Sequence, residues 1–404
     1  MNDFYTINFI SKDETITYDK ECILNDFDGV SLYPSAMVRM PGFLRGKPKV
    51  LTNLTYDFLK RQSGYFVEIK NVKLNKFLHF PLQSEKINGI RNYTNEIKGS
   101  LYIDKVSLED LIEFQGATFD IVRGYYFNEG HNTKIGSVIK FCFEERLKQK
   151  SKGNPIEQVY KLLMNSSYGK LIQKPIVTDL KFTNSEEKHK KYLSYNHNFI
   201  KEFTKICENK YVYKVQKSVN NHFNMCHIGS EILSWSKRIM NEVMCLAEDL
   251  DIHIFYQDTD SMHILDSQIK TLADAFYNKY GCKLIGKQLG QFHTDFSVID
   301  SRDENGKKEI KNITAIESYF LGKKCYIDKL TCENKEEEQY MKTKYHIRMK
   351  GIPVTSIDKP LETYKTLFEG KAITFNLLKG KPKFKKDKDF SIISLTKFER
   401  KIQF

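Results

Sequence analysis

Two aspartates one residue apart stand in Phe255-Tyr256-Gln257-Asp258-Thr259-Asp260-Ser261-Met262-His263-Ile264, between two short apolar runs. Carboxylates that close repel one another, and each resists ionisation unless a cation lies between or beside them. A divalent metal ion is the simplest partner. Asp is also a common turn residue that bonds its own backbone, so Asp258 and Asp260 gain meaning only from company elsewhere in the chain. A second pair, Asp26 and Asp28, lies in Glu21-Cys22-Ile23-Leu24-Asn25-Asp26-Phe27-Asp28-Gly29. Spaced by two, both side chains leave an extended strand on one face, and either is a candidate metal ligand. Lys161, Asn165 and Tyr168 form a third group at i, i+4 and i+7, one stripe of a helix. A cation, an amide and an aromatic ring on one face can bind a phosphate and pack against a sugar or base. Arg146, Lys148, Lys150 and Lys152 add positive charge nearby, and Lys324 and Tyr326 share one face of a predicted strand.

The elements that must position these groups follow from periodicity and punctuation. Ile252, Ile254 and Tyr256 alternate as a half-buried strand does, and apolar residues resume at Met262, which predicts a hairpin with Asp258-Thr259-Asp260 as its turn. Residues 134 to about 150 read as a helix, with Ile135, Val138, Ile139 and Cys142 apolar. After a break at Lys152-Gly153, Asn154 offers an N-cap, Pro155 a first helical position and Glu157 a capping box for a second, antiparallel helix. A helix from Ser107 with a serine cap is expected, as is a long one from about 228 to 249 with Ile232, Trp235, Ile239 and Val243 at core spacing. Further strands are expected at Tyr65-Phe66-Val67-Glu68-Ile69, at Leu289-Gly290-Gln291-Phe292 and across 318–327. The stretch from Lys170 to Asn221 is polar and basic and is expected on the surface. From about Gly351 a separate basic tail is expected, where Lys379, Lys381, Lys383, Lys385, Lys386 and Lys388 suit sequence-independent phosphate contact.

A chain of 404 residues with 40% hydrophobic and 13% aromatic residues and 9 prolines is folded and can bury a large core. Its net charge of +13 points to a polyanionic partner. Nucleic acid suits better than membrane, since no apolar run reaches spanning length. The 8 cysteines are scattered, with neither Cys-Xaa-Xaa-Cys nor a Cys/His cluster at zinc spacing, and read as reduced thiols. No secretory signal opens the sequence, so an intracellular setting is expected.

Two acid-bearing strands side by side could hold two divalent ions roughly 4 Å apart, as in phosphoryl displacement. A cationic helix would hold a triphosphate, which together describes nucleotidyl transfer. At these residues the chain resembles the family B DNA polymerases. Asp28-Gly29-Val30-Ser31-Leu32-Tyr33-Pro34 is similar to motif A, Lys161 through Gly169 to motif B, Tyr256-Gln257-Asp258-Thr259-Asp260-Ser261 to motif C, and Lys324-Cys325-Tyr326 to the Lys-Xaa-Tyr motif. The setting resembles the protein-primed branch found in phages, adenoviruses and linear plasmids.

The resemblance implies an α+β right-hand polymerase with an antiparallel-sheet palm, two-helix fingers and a small thumb. By it residues 1–45 carry palm with motif A, 46–130 an insertion that meets a priming protein, 131–170 the fingers, 171–220 a processivity insertion, 221–350 palm with motif C, and 351–404 the thumb. It implies Asp28 and Asp258 as ligands of two Mg²⁺ ions, with Mn²⁺ able to substitute, and Asp260 in support. The spacing to Ser31-Leu32-Tyr33 selects Asp28 over Asp26. Ser31 and Leu32 would lie along the triphosphate, Tyr33 would stack under the sugar and reject a 2′-hydroxyl, Lys161 would contact phosphate, and Asn165 and Tyr168 would line the nascent base pair. Arg146 and Lys150 are further triphosphate contacts. Gly169 would permit close helix packing, and Tyr256, Thr259, Ser261, Lys324 and Tyr326 would meet the primer and DNA. The implied partners are template and primer DNA, deoxynucleoside triphosphates, a terminal priming protein and a separate exonuclease subunit, in the host cytoplasm of a virus-infected cell. Family members carry a 3′-5′ exonuclease domain before motif A, and fewer than thirty residues precede Asp28 here. A fragment, half of a split polymerase or an enzyme without proofreading is therefore expected. A metal-dependent nuclease would also need paired acids, but not the Lys161 stripe. A non-catalytic DNA-binding remnant would not need clustered charge.

Overall fold

A computed structural model describes residues 4–7, 15–18, 23–174, 177–217, 225–303, 308–377, 383–384, 392–393 and 398–404. Two compact units divide the chain. Met1–Leu32, Leu78–Ser84 and Ile239–Phe404 form one, and Tyr33–Phe77 with Glu85–Arg238 the other. Helix and sheet are mixed in both.

The first unit is built on a nine-stranded sheet. Its acid-bearing end runs Tyr256–Asp258, Ser261–Leu265, Leu24–Gly29 and Ile313–Gly322 as neighbours, all antiparallel. Phe292–Thr294 also pairs with Leu24–Gly29, and Cys325–Cys332 joins Ile313–Gly322 to Tyr345–Met349. One pairing is parallel, between Phe4–Ile7 and Ile313–Gly322. The expected hairpin forms, with Asp258 opposite Ser261 and a two-residue loop of Thr259 and Asp260. Leu24, Phe255, Tyr256, Phe320 and Tyr326 share one core. Behind the sheet, Tyr319, Leu321 and Ile327 pack with Tyr364 and Leu367 of the helix Pro360–Phe368 and with Phe375. The segment after Gly351 thus shares a core with the sheet rather than standing apart. Of its basic run, Lys379, Lys381, Lys385, Lys386 and Lys388 lie outside the described residues, and Lys383 opens a two-residue strand.

Two strand expectations in this unit are corrected. Leu289 and Gly290 belong to a turn and the strand starts at Phe292, because Gly290 adopts φ 83°, a left-handed conformation that ends extended structure. Lys324 is not a strand residue. It closes the two-residue turn between Ile313–Gly322 and Cys325–Cys332 with φ 58°, so Lys324 and Tyr326 do not share a strand face.

In the second unit a four-stranded sheet centred on Gly64–Lys73 and Thr118–Phe127 carries the helix Lys105–Gln115. That helix is capped by Asp104, whose carboxylate accepts from the Ser107 amide at 2.9 Å, so the expected serine cap is one turn late. The helices Lys134–Ser151 and Glu157–Ile172 pack together as expected. The second begins after Ile156 rather than at Pro155. Asn154 accepts from the Ile156 amide in the loop, and Glu157 turns to Arg146 at 3.2 Å instead of forming a capping box. Part of the expected polar surface segment is an ordered small fold. Strands Thr178–Thr183, Ile200–Cys207 and Lys210–Gln216 form a sheet under the helix Glu186–Asn196, with Tyr211, Tyr213 and His189 buried between. The long helix runs Cys226–Asp249, with Ile232 buried in its part within this unit and Ile239 and Val243 buried in its part within the first, and Trp235 is half-buried under Arg238 at 5.1 Å.

Candidate active site

Strand register brings the acids of the first unit together. Ser261 lies opposite Asp28 and His263 opposite Asp26, while the Gly29 amide donates to the Asp260 carbonyl at 2.8 Å. A Cβ added at Gly29 would come within 3.6 Å of Asp260 Cβ. Three non-glycine residues at this end hold left-handed backbone, Ser31 at φ 51°, Thr259 at φ 62° and Lys324 at φ 58°. For a β-branched residue such as Thr259 that conformation is costly, and it persists only where surrounding structure enforces it.

The charges follow that backbone. Burial pushes the Asp28 carboxyl up to about 7, and among its acidic neighbours Asp260 adds most, then Asp295 and Asp26, with Arg348 opposing. Burial also raises Asp260, with a further rise from Asp258. Asp258 itself is held by Lys324, whose Nζ stands 2.6 Å from its Oδ2. Asp258 thus faces a lysine, while Asp28 and Asp260 carry the raised carboxyls at this end of the sheet. Asp260 and Asp295 both raise Asp28, Asp295 also raises Asp260, and Arg348 is the cation that opposes them at Asp28. Such crowded oxygen donors fit a hard divalent cation.

Around these acids the remaining motif residues separate into reachable and buried. Thr259 Oγ1 donates to Asp258 Oδ1 at 3.3 Å, and Ser261 Oγ to the Asp258 carbonyl at 3.5 Å. Tyr256 and Tyr326, expected to meet DNA, are instead core residues at 3% and 4% exposure, with rings 4.8 Å apart. After the two-residue turn the chain re-enters the sheet at Cys325, which directs Tyr326 inward. Tyr256 still reaches the site through its hydroxyl, which accepts from the Lys324 amide at 2.8 Å and so fixes the turn that carries Lys324. Leu32 is buried as well, so it can offer a triphosphate only its backbone.

In the second unit Tyr33 and Tyr168 stack with centroids 4.3 Å apart and rings 10° from parallel. Lys161 and Asn165 are exposed on the same helix. Lys150 is exposed, while Arg146 is ion-paired with Glu157. The expectation for Gly169 is corrected: nothing described lies within 4 Å of an added Cβ, so no close packing requires a glycine there.

Sequence reasoning missed Asp295, Asp328, His346 and Arg348, gave His263 no role and left Asp26 undecided. Asp26 is 1% exposed and faces His263, whose Nδ1 lies 3.6 Å away. His263 Nε2 and His346 Nδ1 both stand 3.3 Å from Oδ2 of the fully buried Asp328, and Ser318 donates to its other oxygen. Against its burial, the two histidines hold Asp328 well below the usual carboxylate range. Burial opposes charge on His263, yet Asp26 and Asp328 raise it. His346 and Arg348 project towards Asp295 at 3.9 and 3.6 Å. These groups come from sites as far apart as positions 26 and 346, and only an alignment of related chains could have flagged single Asp and His residues so dispersed.

A family model of type B DNA polymerases, organellar and viral, matches residues 15–244. Solved structures of phi29 DNA polymerase share the fold. An orthorhombic crystal form matches over 94% of this chain and 57% of its own, with 19% identity and a TM-score of 0.56. A complex with primer-template DNA matches over 98% and 60%, with 18% identity and a TM-score of 0.58. A ternary complex with primer-template DNA and incoming nucleotide substrates matches over 100% and 60%, with 17% identity and a TM-score of 0.58. The chain thus spans about three fifths of the length of these structures. No curated protein matches it by sequence.

Proposed function

The chain belongs to the organellar and viral type B DNA polymerases, and from that premise we propose that it adds deoxynucleotides to a primer 3′-hydroxyl under the direction of a DNA template. The observation that carries this reading is that Asp28, on its strand, lies beside Asp260 of the hairpin loop, where burial and neighbouring acids raise both carboxyls. Asp28 and Asp260 would hold Mg²⁺, with Asp295 within electrostatic reach and Asp258 positioned by Lys324. Divalent ions held there would supply charge stabilisation for the attacking and leaving oxygens of phosphoryl displacement. The chain's own residues bind and orient. Lys161 would take a triphosphate oxygen, Asn165 and Tyr168 would line the base pair, and Tyr33 would sit under the sugar. Lys324 would hold the primer end while neutralising Asp258. Palm would then comprise 1–45 and 221–350, fingers 131–170 and thumb 351–404. Priming by a protein, through the insertion at 46–130, is proposed on the resemblance of the motifs to the protein-primed branch.

The test is extension of a labelled primer on a DNA template with deoxynucleotides and Mg²⁺. Asp28→Asn and Asp260→Asn should each lower the rate by about 10³-fold, the several kcal/mol expected of a lost metal ligand. Asp258→Asn should lose less, because its principal contact is Lys324. A wild type that binds primer-template DNA and extends nothing would sink the catalytic reading and favour a remnant, or one part of a split polymerase.

A further inference from the structure

We propose that Asp26, Asp295 and His346 form a second divalent-cation site, selective for a first-row transition ion and separate from the Asp28–Asp260 pair. One ligand atom from each of the three lies within 4.8 Å of the other two. Acidic residues in company are common without an ion, so two further observations carry the inference. Asp26 is 1% exposed, and neither of its carboxylate oxygens has a hydrogen-bond partner among the described residues. His263 Nδ1, 3.6 Å from Oδ1, faces Asp26 as a charge but lies beyond hydrogen-bond length, so both oxygens keep lone pairs for an ion. The second observation is the backing of His346. Its Nδ1 lies 3.3 Å from the carboxylate of Asp328, which fixes the tautomer with the proton on Nδ1 and leaves the Nε2 lone pair for a ligand. Nε2 is the nitrogen that points to Asp295, at 3.9 Å. A carboxylate behind a histidine whose other nitrogen faces two acids is the arrangement that orients metal-bound imidazoles.

The donor set decides the ion. Imidazole with two carboxylates suits Zn²⁺ or Mn²⁺ above Mg²⁺, which favours oxygen alone and keeps its waters. Asp295 is 42% exposed, which gives an ion a way in and leaves a coordination position for solvent. Arg348 Nη2 stands 3.6 Å from Asp295 Oδ2 and partly offsets that acid. The Phe296 and Tyr326 rings flank His346 at 5.5 and 5.6 Å and shield the inner side. Nothing in this argument depends on polymerase activity.

The experiment is metal retention. The metal-stripped full chain is equilibrated with Zn²⁺, and separately with Mn²⁺, in excess Mg²⁺ that occupies the catalytic acids, then desalted and assayed by mass spectrometry. Wild type and Asp28→Asn should each keep one equivalent. Asp295→Asn, an exposed change that should leave the circular dichroism intact, should weaken retention by at least about tenfold, as should His346→Gln. Wild type retaining no ion would overturn the proposal. So would an ion kept by Asp295→Asn, or one lost as readily from Asp28→Asn, which would assign it to the catalytic pair.

Discussion

At Tyr33 one ring has two tasks that a substitution separates. It stacks on Tyr168 across 4.3 Å, and such aromatic pairs contribute about 0.5–1.5 kcal/mol beyond the area they bury. Tyr33→Phe keeps the ring, so both stability and sugar discrimination should survive. Tyr33→Ala removes it and should cost about 1–3 kcal/mol in chemical denaturation, with a rise in ribonucleotide incorporation during primer extension. Equal ribonucleotide incorporation by wild type and Tyr33→Ala would remove Tyr33 from the sugar site. Tyr33 and Tyr168 are legible in the sequence because each belongs to a contiguous motif whose residue types fit one task. Tyr326 shows the limit of that reading. The Lys-Xaa-Tyr spacing implies a shared face only if the strand is continuous, and the left-handed backbone at Lys324 interrupts it. Asp295, His346 and Asp328 are illegible for another reason: each alone reads as an ordinary polar residue, and strand pairing across hundreds of positions creates the group.

The long helix Cys226–Asp249 shows how an element's polar face is set by what it packs on. Its period of buried Ile232, Ile239 and Val243 is readable from spacing, but Glu231 interrupts the apolar face and gives no hint of its surroundings. In the structure Glu231 is 4% exposed with Oε2 unpaired among the described residues. Burial, with Asp104 adding and Lys105 opposing, pushes its carboxyl up to about 8 from 4.5. Asp104 cannot move away, since it caps the helix Lys105–Gln115 and accepts from Ser234. The folded state therefore binds a proton more tightly than the unfolded chain. Stability from this group is full below about pH 4.5 and is lost progressively as pH rises to about 8. Glu231→Gln should be near neutral at pH 5 and stabilising at pH 8.5 by on the order of a few kcal/mol, measured as the difference from wild type in denaturant titrations. A difference that does not change with pH would show that Glu231 is ionised and satisfied in the fold.

For the molecule as a whole, charge makes the prediction that fold cannot. A net charge of +13 is a statement about partners, because net charge governs association with polyanions without specifying the fold. If the chain holds a primer-template duplex through phosphates, each neutralised phosphate releases counterions, and affinity must fall with salt. The logarithm of Kd for a primer-template duplex should rise linearly with the logarithm of NaCl concentration. A loss of about 10³-fold between 50 and 200 mM would correspond to six or so phosphate contacts. Base sequence should change the affinity little, since phosphate contacts position a duplex without reading it. Fluorescence anisotropy with two unrelated duplexes measures both quantities. A flat salt response would mean that the basic excess is merely a solvated surface, and the polymerase reading would then have to draw its DNA affinity from base stacking. The exposed rings Phe182, Phe199 and Phe203, all within residues 178–207, are where such stacking would be sought. Salt dependence and stacking thus assign the grip on DNA to different residues, and a Phe182→Ala, Phe203→Ala double variant measured at high salt separates them.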